Sequence, residues 1–568
     1  MVVIAAGLLA YHNSFTGPFI LDDPLSISKN PTIRHLWPLS QVLSPPPMGG
    51  VTVEGRPLLN FSLAINYAFG GTRVWGYHAL NLTIHILAGL TLFGVVRRTL
   101  LQPRLRDHYG AVASELALAS AIIWMLHPLQ TESVTYVIQR AESIAGLFYL
   151  LTLYCFIRGV GSPRPRVWYG LCLSACVLGV ASKEVLASAP LLVMVYDRAL
   201  ISGSFREAWR RRSPLYIGLA GTWILLACLL FFQRSLGNAL SYASTNKISQ
   251  WQYLGTEPGV ILHYLRLAFW PDRLCFDYLG WPLAKAWPGV LPAALVIVAL
   301  LAATAWALKA NSVWGIAGAW FFLILAPSSS FIPLDCPAYE HRMYLPLAAV
   351  IVAAVLAIHA LLGQRSRVVF VAIAIVLGVL TAQRNADYRS EIAIWLDTVE
   401  KWPVNARANN NLGTALQQAG RSDEAMRYFE QAIRIKPDYS DAYNNLGNIF
   451  LAQDRLEEAF GQYKQALRIQ PKHAEAHNNL GIVLERTGHI EEAIRQFEES
   501  IRIRPETAEV HNNLGNALVA VGRLQEGIGQ FEEAVKLKPD FAEASSNLLF
   551  ALSQQSTSGS SSATVGAR

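Results

Sequence analysis

The sequence predicts an all-α fold in two parts. A polytopic helical membrane bundle occupies residues 1–386, and a helical-repeat solenoid occupies 387–553. Three observations predict this. The chain is 52% hydrophobic and only 15% charged, where a soluble globular chain carries about 25% charge. Long apolar runs succeed one another as far as Ala382 and then stop. Beyond that point Asn-Asn-Leu-Gly recurs at 410–413, 444–447, 478–481 and 512–515, each step being 34 residues.

The first element, Val2 to Tyr11, is shorter than the roughly 20 residues a bilayer needs. It completes a span only if residues through Ile20 join it with His12, Asn13 and Pro18 at the outer end. The run reads as a clipped or misassigned start. A signal peptide is the alternative, and no basic segment precedes the run.

Phe19-Ile20-Leu21-Asp22-Asp23-Pro24 follows, leading to Asn30-Pro31. A carboxylate beside the bilayer is costly, and a like-charged neighbour makes ionisation harder. One reading is a general base at the outer membrane surface, for which one member of the pair suffices. Asp23, beside Pro24 and farther from the apolar run, is the favoured of the two. The other reading is a polar cap where a helix leaves the lipid.

A long polar loop reaches about Gly76. Spans are expected near 79–97, 112–127, 137–157, 167–181, 184–197, 214–232, 289–308, 312–326, 343–362 and 368–382, eleven with the first run. The run 258–270 contains His263 and Arg266 and reads as interfacial or re-entrant. With the N-terminus inside, the dense basic clusters share one side: Arg97 to Arg106, Arg158 to Arg166, Arg206 to Arg212, Lys309, and Arg365 with Arg367. The acidic pair and everything after Ala382 fall on the other. The formal charge of +7 therefore has a topological origin and does not indicate nucleic-acid binding. Six Cys give neither a disulfide framework nor a zinc spacing.

The outer side gathers His127-Pro128, Gln139-Arg140-Ala141-Glu142, Ser182-Lys183-Glu184 and Glu340-His341-Arg342. Structural ion pairs are the plain reading of each cluster. Arg140, Lys183 and Arg342 together with the acidic pair suggest instead an anion site, and a lipid phosphate is the natural anion at that depth.

In the repeats, Pro437, Pro471, Pro505 and Pro539 close each unit, while Ala425, Ala459 and Ala493 and the aromatics Phe429, Tyr463, Phe497 and Phe531 fill the seam. This is the tetratricopeptide pattern of two antiparallel helices. Four repeats cover about 406–541, helix 388–401 packs in front, helix 542–553 caps the array, and the Ser/Gly-rich tail 554–568 is expected to be disordered. Such arrays grip extended peptides. Asn411, Asn445, Asn479 and Asn513 occupy equivalent places, and a side-chain amide can match a peptide backbone as donor and acceptor. Alternatively the Asn belongs to the repeat pattern alone.

Phe19 to Asp23 with Asn30-Pro31, Arg56-Pro57-Leu58, Tyr77-His78 with Asn81 and His85, Gln139 to Glu142, Ser182 to Glu184, and Glu340 to Arg342 with Tyr344-Leu345-Pro346 occur in this order before the repeats. In this the chain resembles the transmembrane and tetratricopeptide repeat-containing family of C-type glycosyltransferases, similar to protein O-mannosyltransferases. The resemblance implies transfer of a sugar, mannose or another hexose, from a polyprenyl-phosphate carrier to protein Ser or Thr outside the cytosol. By it, Asp22 or Asp23 is the catalytic base, with Arg56, His78, Glu142, Glu184, Glu340 and His341 supporting. The short loops and short repeat array look bacterial, which implies an inner-membrane protein with periplasmic repeats.

The residues fit that chemistry by themselves. A hydroxyl nucleophile needs a base, and a lipid-phosphate leaving group needs cations. No metal is then required, although paired carboxylates can hold a divalent cation. Two other classes fit the same pattern: a non-enzymatic membrane-anchored scaffold, which has no need of Asp22 or Asp23, and a lipid-linked sugar ligase or transporter, which has no need of a peptide groove.

Overall fold

The computed structural model describes residues 1–44, 52–237, 248–310, 312–329, 333–334 and 336–565. Two compact units divide the chain, Met1–Lys401 and Trp402–Arg568.

Every apolar run expected in the first unit is helical: Val2–Ala10, Val74–Leu100, Ala113–Met125, Arg140–Val160, Pro165–Val180, Ala189–Tyr196, Phe205–Gly237, Trp287–Lys309, Val313–Leu325, Pro346–Leu362 and Ser366–Asp387. Proline begins several of these helices, where its missing N–H costs nothing. Among the described residues, six helical stretches are long and apolar enough to cross a membrane, or seven if the bent pair Pro103–Met125 and Pro128–Thr135 is one span. The number differs from the eleven expected for two physical reasons. Val2–Ala10, Pro165–Val180 and the helix ending at Leu325 are too short to span a bilayer, and Pro346–Asp387 is one 42-residue stretch turning at Gly363–Arg365.

Hydrogen bonds sort the loops into two ends. At one end Arg97 meets Ser114, Arg104 meets the Ala199 carbonyl, Arg198 meets the Leu308 carbonyl, Arg212 clasps Asp197, and Arg367 pairs with Glu115. The acidic pair is at the other end, joined to 136–138. The run 258–270 lies within the helix Gln250–Phe269, which opens on a Ser249/Gln252 capping box. Its Tyr253 hydroxyl donates to the Ser328 carbonyl and accepts from Arg342, while its Ala268 carbonyl meets His127. Both ends of this helix are thus hydrogen-bonded to neighbouring segments of the first unit, and it is not among the stretches long and apolar enough to cross a membrane.

One close approach positions the site. Gly146 lies so near Tyr344 that a Cβ there would sit 2.4 Å from the ring. Glycine alone therefore lets the helix Arg140–Val160 press against the segment carrying Glu340 to Arg342. The Tyr344 hydroxyl is hydrogen-bonded to His85 at 2.9 Å, which ties in Val74–Leu100 as well.

The sequence boundary at 386 moves. Helix Glu391–Lys401 belongs to the first unit, because Arg384 pairs with both Asp387 and Asp397 and the Lys401 ammonium donates to the Leu274 carbonyl.

The second unit is a stack of helix pairs from Ala406–Gln418 to Leu524–Leu537. Within each pair the Gly of Asn-Asn-Leu-Gly meets the aromatic of the partner helix, as Gly447 meets Tyr463, where a Cβ would fall 2.6 Å from the ring. The last helix runs Ala542–Val565, past the expected end at 553, since no proline interrupts the Ser-rich segment. Residues 566–568 of the expected disordered tail lie outside the described residues.

Candidate functional site

The acidic pair divides into two unlike residues. Leu21 adopts a left-handed φ of +49°, uncommon for a non-glycine residue, and turns the chain sharply just before the pair. Asp23 is wholly buried. Its two carboxylate oxygens each accept a main-chain N–H, from Ile20 at 3.0 Å and from Ile138 at 2.8 Å. Burial pushes its pKa up to about 8, opposed by those two N–H groups and by Arg140. Asp22 is half-buried; its N–H donates to the Tyr136 hydroxyl, and its Oδ2 accepts from Thr52 at 3.3 Å. Asp23 is thus a pin between the first loop and residue 138, and Asp22 is the member left facing the loop.

The Arg140 side chain turns inward. It is fully buried, donating from Nε to Asn81 at 2.5 Å and from its terminal nitrogens to the Tyr77 and Ser62 carbonyls at 3.0 and 3.2 Å. Asn81 in turn donates to the Val134 and Val137 carbonyls. Arg342 is similar: it donates to the Cys336 and Pro337 carbonyls, and it lies over the Tyr339 ring at 5.1 Å.

The remaining groups form a connected line. Arg56 donates to the Thr52 carbonyl at 2.9 Å and pairs with Glu184 at 3.4 Å. Next to Glu184, Lys183 pairs with Glu142 at 2.5 Å. Glu142 Oε1 lies 3.9 Å from His341 Nε2, and His341 Nδ1 meets Glu132 at 2.7 Å. Arg56 and Lys183 are the half-buried cations of this line. Glu340 stands apart from it, accepting from the Cys275 N–H at 2.5 Å and the Tyr278 hydroxyl at 2.7 Å. Burial raises its pKa to about 7. His78 is buried against the Gly17 carbonyl at 2.9 Å. Among the described residues no group of three His, Cys, Asp or Glu is arranged to hold a metal ion.

Asp23 and Glu340 both keep their protons to higher pH folded than unfolded. Folding therefore takes up protons between the ordinary carboxylate range and about pH 8, and this part of the stability falls as pH rises through that window. Thermal melts in detergent at about pH 6 and about pH 9 should show the decline, and Glu340→Gln should flatten it.

In the repeats the second Asn of each motif staples neighbouring units. Asn445 donates to Asn410 at 3.0 Å, Asn479 to Asn444 at 3.1 Å, and Asn513 to Asn478 at 3.0 Å; Asn547 extends the series to Asn512. Asn411 instead accepts from Asn410 at 3.3 Å. In Asn445, Asn479 and Asn513 the amide nitrogen thus donates within the array. Replacing Asn445 and Asn479 together by Ala should cost about 1 kcal/mol of stability at each position. Unfolding of the full chain in urea measures it, and an unchanged midpoint would show the staples to be idle.

Sequence reasoning missed Glu132, Tyr136, Thr52 and Arg384. Glu132 had a signal, being a carboxylate in an otherwise uncharged stretch between two apolar runs. Tyr136 and Thr52 had none.

Fold and site define a class: a multi-pass helical protein of membrane type, with a polar site at one end, followed by tetratricopeptide repeats. Family models described as tetratricopeptide repeat match residues 438–506 and 478–542, and one described as TPR repeat matches 413–454. The curated relatives of the chain are protein O-mannosyl-transferases of the transmembrane and tetratricopeptide repeat-containing family. One from Caenorhabditis elegans is 23% identical over 478 residues, covering 77% of this chain and 63% of its own length. The protein O-mannosyl-transferase Tmtc3 of Drosophila melanogaster is 25% identical over 510 residues, covering 77% and 55%. The match thus spans between about half and two thirds of these relatives. A crystal structure of MamA matches 29% of this chain and 96% of its own at 20% identity, with a TM-score of 0.25.

Proposed function

We propose that the chain is a membrane glycosyltransferase. It moves mannose or another hexose from a polyprenyl-phosphate carrier to Ser or Thr of a protein acceptor, at the membrane face that bears the acidic pair. The observation that carries this reading is the half-buried Asp22, joined through Thr52 and Arg56 to the line ending at Lys183 and His341, in a chain whose relatives are named protein O-mannosyl-transferases.

In this reading Asp22, not Asp23, is the general base, because Asp23 has both oxygens committed to main-chain N–H groups. The acceptor oxygen attacks the anomeric carbon and its proton passes to Asp22. The bond from that carbon to the phosphate oxygen breaks, and its electron pair leaves on the phosphate. Arg56 and Lys183 stabilise that charge, in the role the sequence gives to Arg140, Lys183 and Arg342. The repeats hold the acceptor chain, using the amide oxygens of Asn445 and Asn513, whose nitrogens are stapled. No metal enters the scheme. The face is outside the cytosol, periplasmic if the protein sits in a bacterial inner membrane.

Purified protein in nanodiscs, given a polyprenyl-phosphate mannose and a Ser/Thr-rich protein acceptor, should form the O-linked product. No product from any polyprenyl-phosphate hexose would overturn the reading. Reporter fusions test the sidedness. A fusion after Arg212 should report the cytosol and one after Ser556 the opposite side; the same side for both would remove the repeats from the site.

A further inference from the structure

Glu132 spends both carboxylate oxygens on a single residue more than two hundred positions away. Its Oε2 accepts the His341 main-chain N–H at 2.9 Å, and its Oε1 faces His341 Nδ1 at 2.7 Å. Glu132 is 2% exposed and His341 7%. Burial raises the Glu132 pKa to about 8, opposed by the His341 main-chain N–H, Arg384 and Lys183; once ionised, its carboxylate can only accept, and Nδ1 then carries the proton. In the neutral ring Nε2 is then a bare acceptor. Burial and the nearby Lys183, Arg342 and Arg56 cations hold His341 well below its usual pKa, opposed by Glu142. The ring is therefore neutral.

That tautomer creates an unfilled geometry. Nε2 faces Glu142 Oε1 across 3.9 Å, too far for a hydrogen bond and with an acceptor on each side. The Lys183 ammonium, a donor, is already at Glu142 Oε1. An acceptor nitrogen next to an ammonium donor matches a hydroxyl group, which gives one hydrogen bond and takes another.

We propose that His341 Nε2 and Lys183 together bind a hydroxyl of the transferred sugar, and that Glu132 is the positioning residue that fixes the His341 ring for this task. The inference rests on the glycosyltransferase reading and assigns it a specificity site. Asp22 deprotonates the acceptor, while Glu132 and His341 select the donor.

The test uses full-length protein in nanodiscs with polyprenyl-phosphate mannose and its monodeoxy analogues as donors. His341→Asn keeps a nitrogen near the Nδ1 position for Glu132 and removes Nε2. It should raise the donor KM about tenfold, leave the acceptor KM unchanged, and erase the preference for mannose over one deoxy analogue. His341→Gln, which restores a group near Nε2, should recover part of that preference. Glu132→Gln should behave as His341→Asn, and Glu132→Asp should fall between it and the parent. If His341→Asn and Glu132→Gln retain the parent donor KM and the full deoxy discrimination, with kcat falling only as folded protein falls, the pair is structural and the proposal is wrong. Absence of transfer by the parent protein would instead remove the reading beneath it.

Discussion

Asp22→Asn should abolish sugar transfer with the fold intact. The swap keeps shape and removes the only function a general base has, so the loss should be about 10²–10⁴-fold in kcat. Asp22 is half-buried and its Oδ2 contact is a hydroxyl at 3.3 Å, which an amide oxygen also accepts. The melting temperature should therefore move little. Asp23→Asn should do the reverse. One of its two oxygens becomes an NH₂ group pointed at a main-chain N–H of Ile20 or Ile138, so a buried donor loses its acceptor at a cost of about 1–3 kcal/mol. Transfer per folded molecule should survive in part. Parallel measurements of kcat and thermal midpoint separate the two residues. Full activity in Asp22→Asn would return the base to Asp23 or end the general-base assignment.

Arg140→Gln should cost the fold, not the donor. Its guanidinium satisfies Asn81 and the Tyr77 and Ser62 carbonyls from a fully buried position. Removing one partner from such a buried charged network costs about 3–5 kcal/mol, a large share of the stability of an ordinary domain. The expected result is poor recovery of monodisperse protein, with an unchanged donor KM in whatever folds. Were Arg140 a phosphate ligand, as its clustering with Lys183 and Arg342 on the side of the acidic pair suggests, Arg140→Gln would purify normally and show weakened donor use. Arg56→Gln gives the contrast. Its side chain is 21% exposed and pairs with Glu184 at 3.4 Å, so its loss should weaken donor use and spare the fold.

The difference between Arg140 and Arg56 shows where legibility in the sequence ends. Both are arginines next to short motifs at the same end of the bundle, and residue type and spacing cannot say which way a side chain turns. Asn81, four residues from Tyr77 on one helix, meets Arg140 on another only because those helices cross there. Likewise Glu132 and His341 are separated by several helices, and no local pattern couples them.

What the sequence determined by itself is whatever depends on periodicity and composition. Apolar runs had to become helices because a backbone in an apolar setting must satisfy its own hydrogen bonds. The 34-residue recurrence had to become stacked helix pairs, because the small Gly447 and the bulky Tyr463 fit only one another's place. The clustering of basic loops away from the acidic pair is likewise a property of order along the chain. Tertiary structure alone decided which charged groups face inward. It held Asp23 between two main-chain N–H groups and set Asp22 beside Thr52, turned Arg140 and Arg342 inward onto main-chain carbonyls, and drew Arg56, Lys183 and His341 into one line. The physical reason is that the fate of a charged group follows from the acceptors and donors around it, and those arrive from distant segments only when the helices pack.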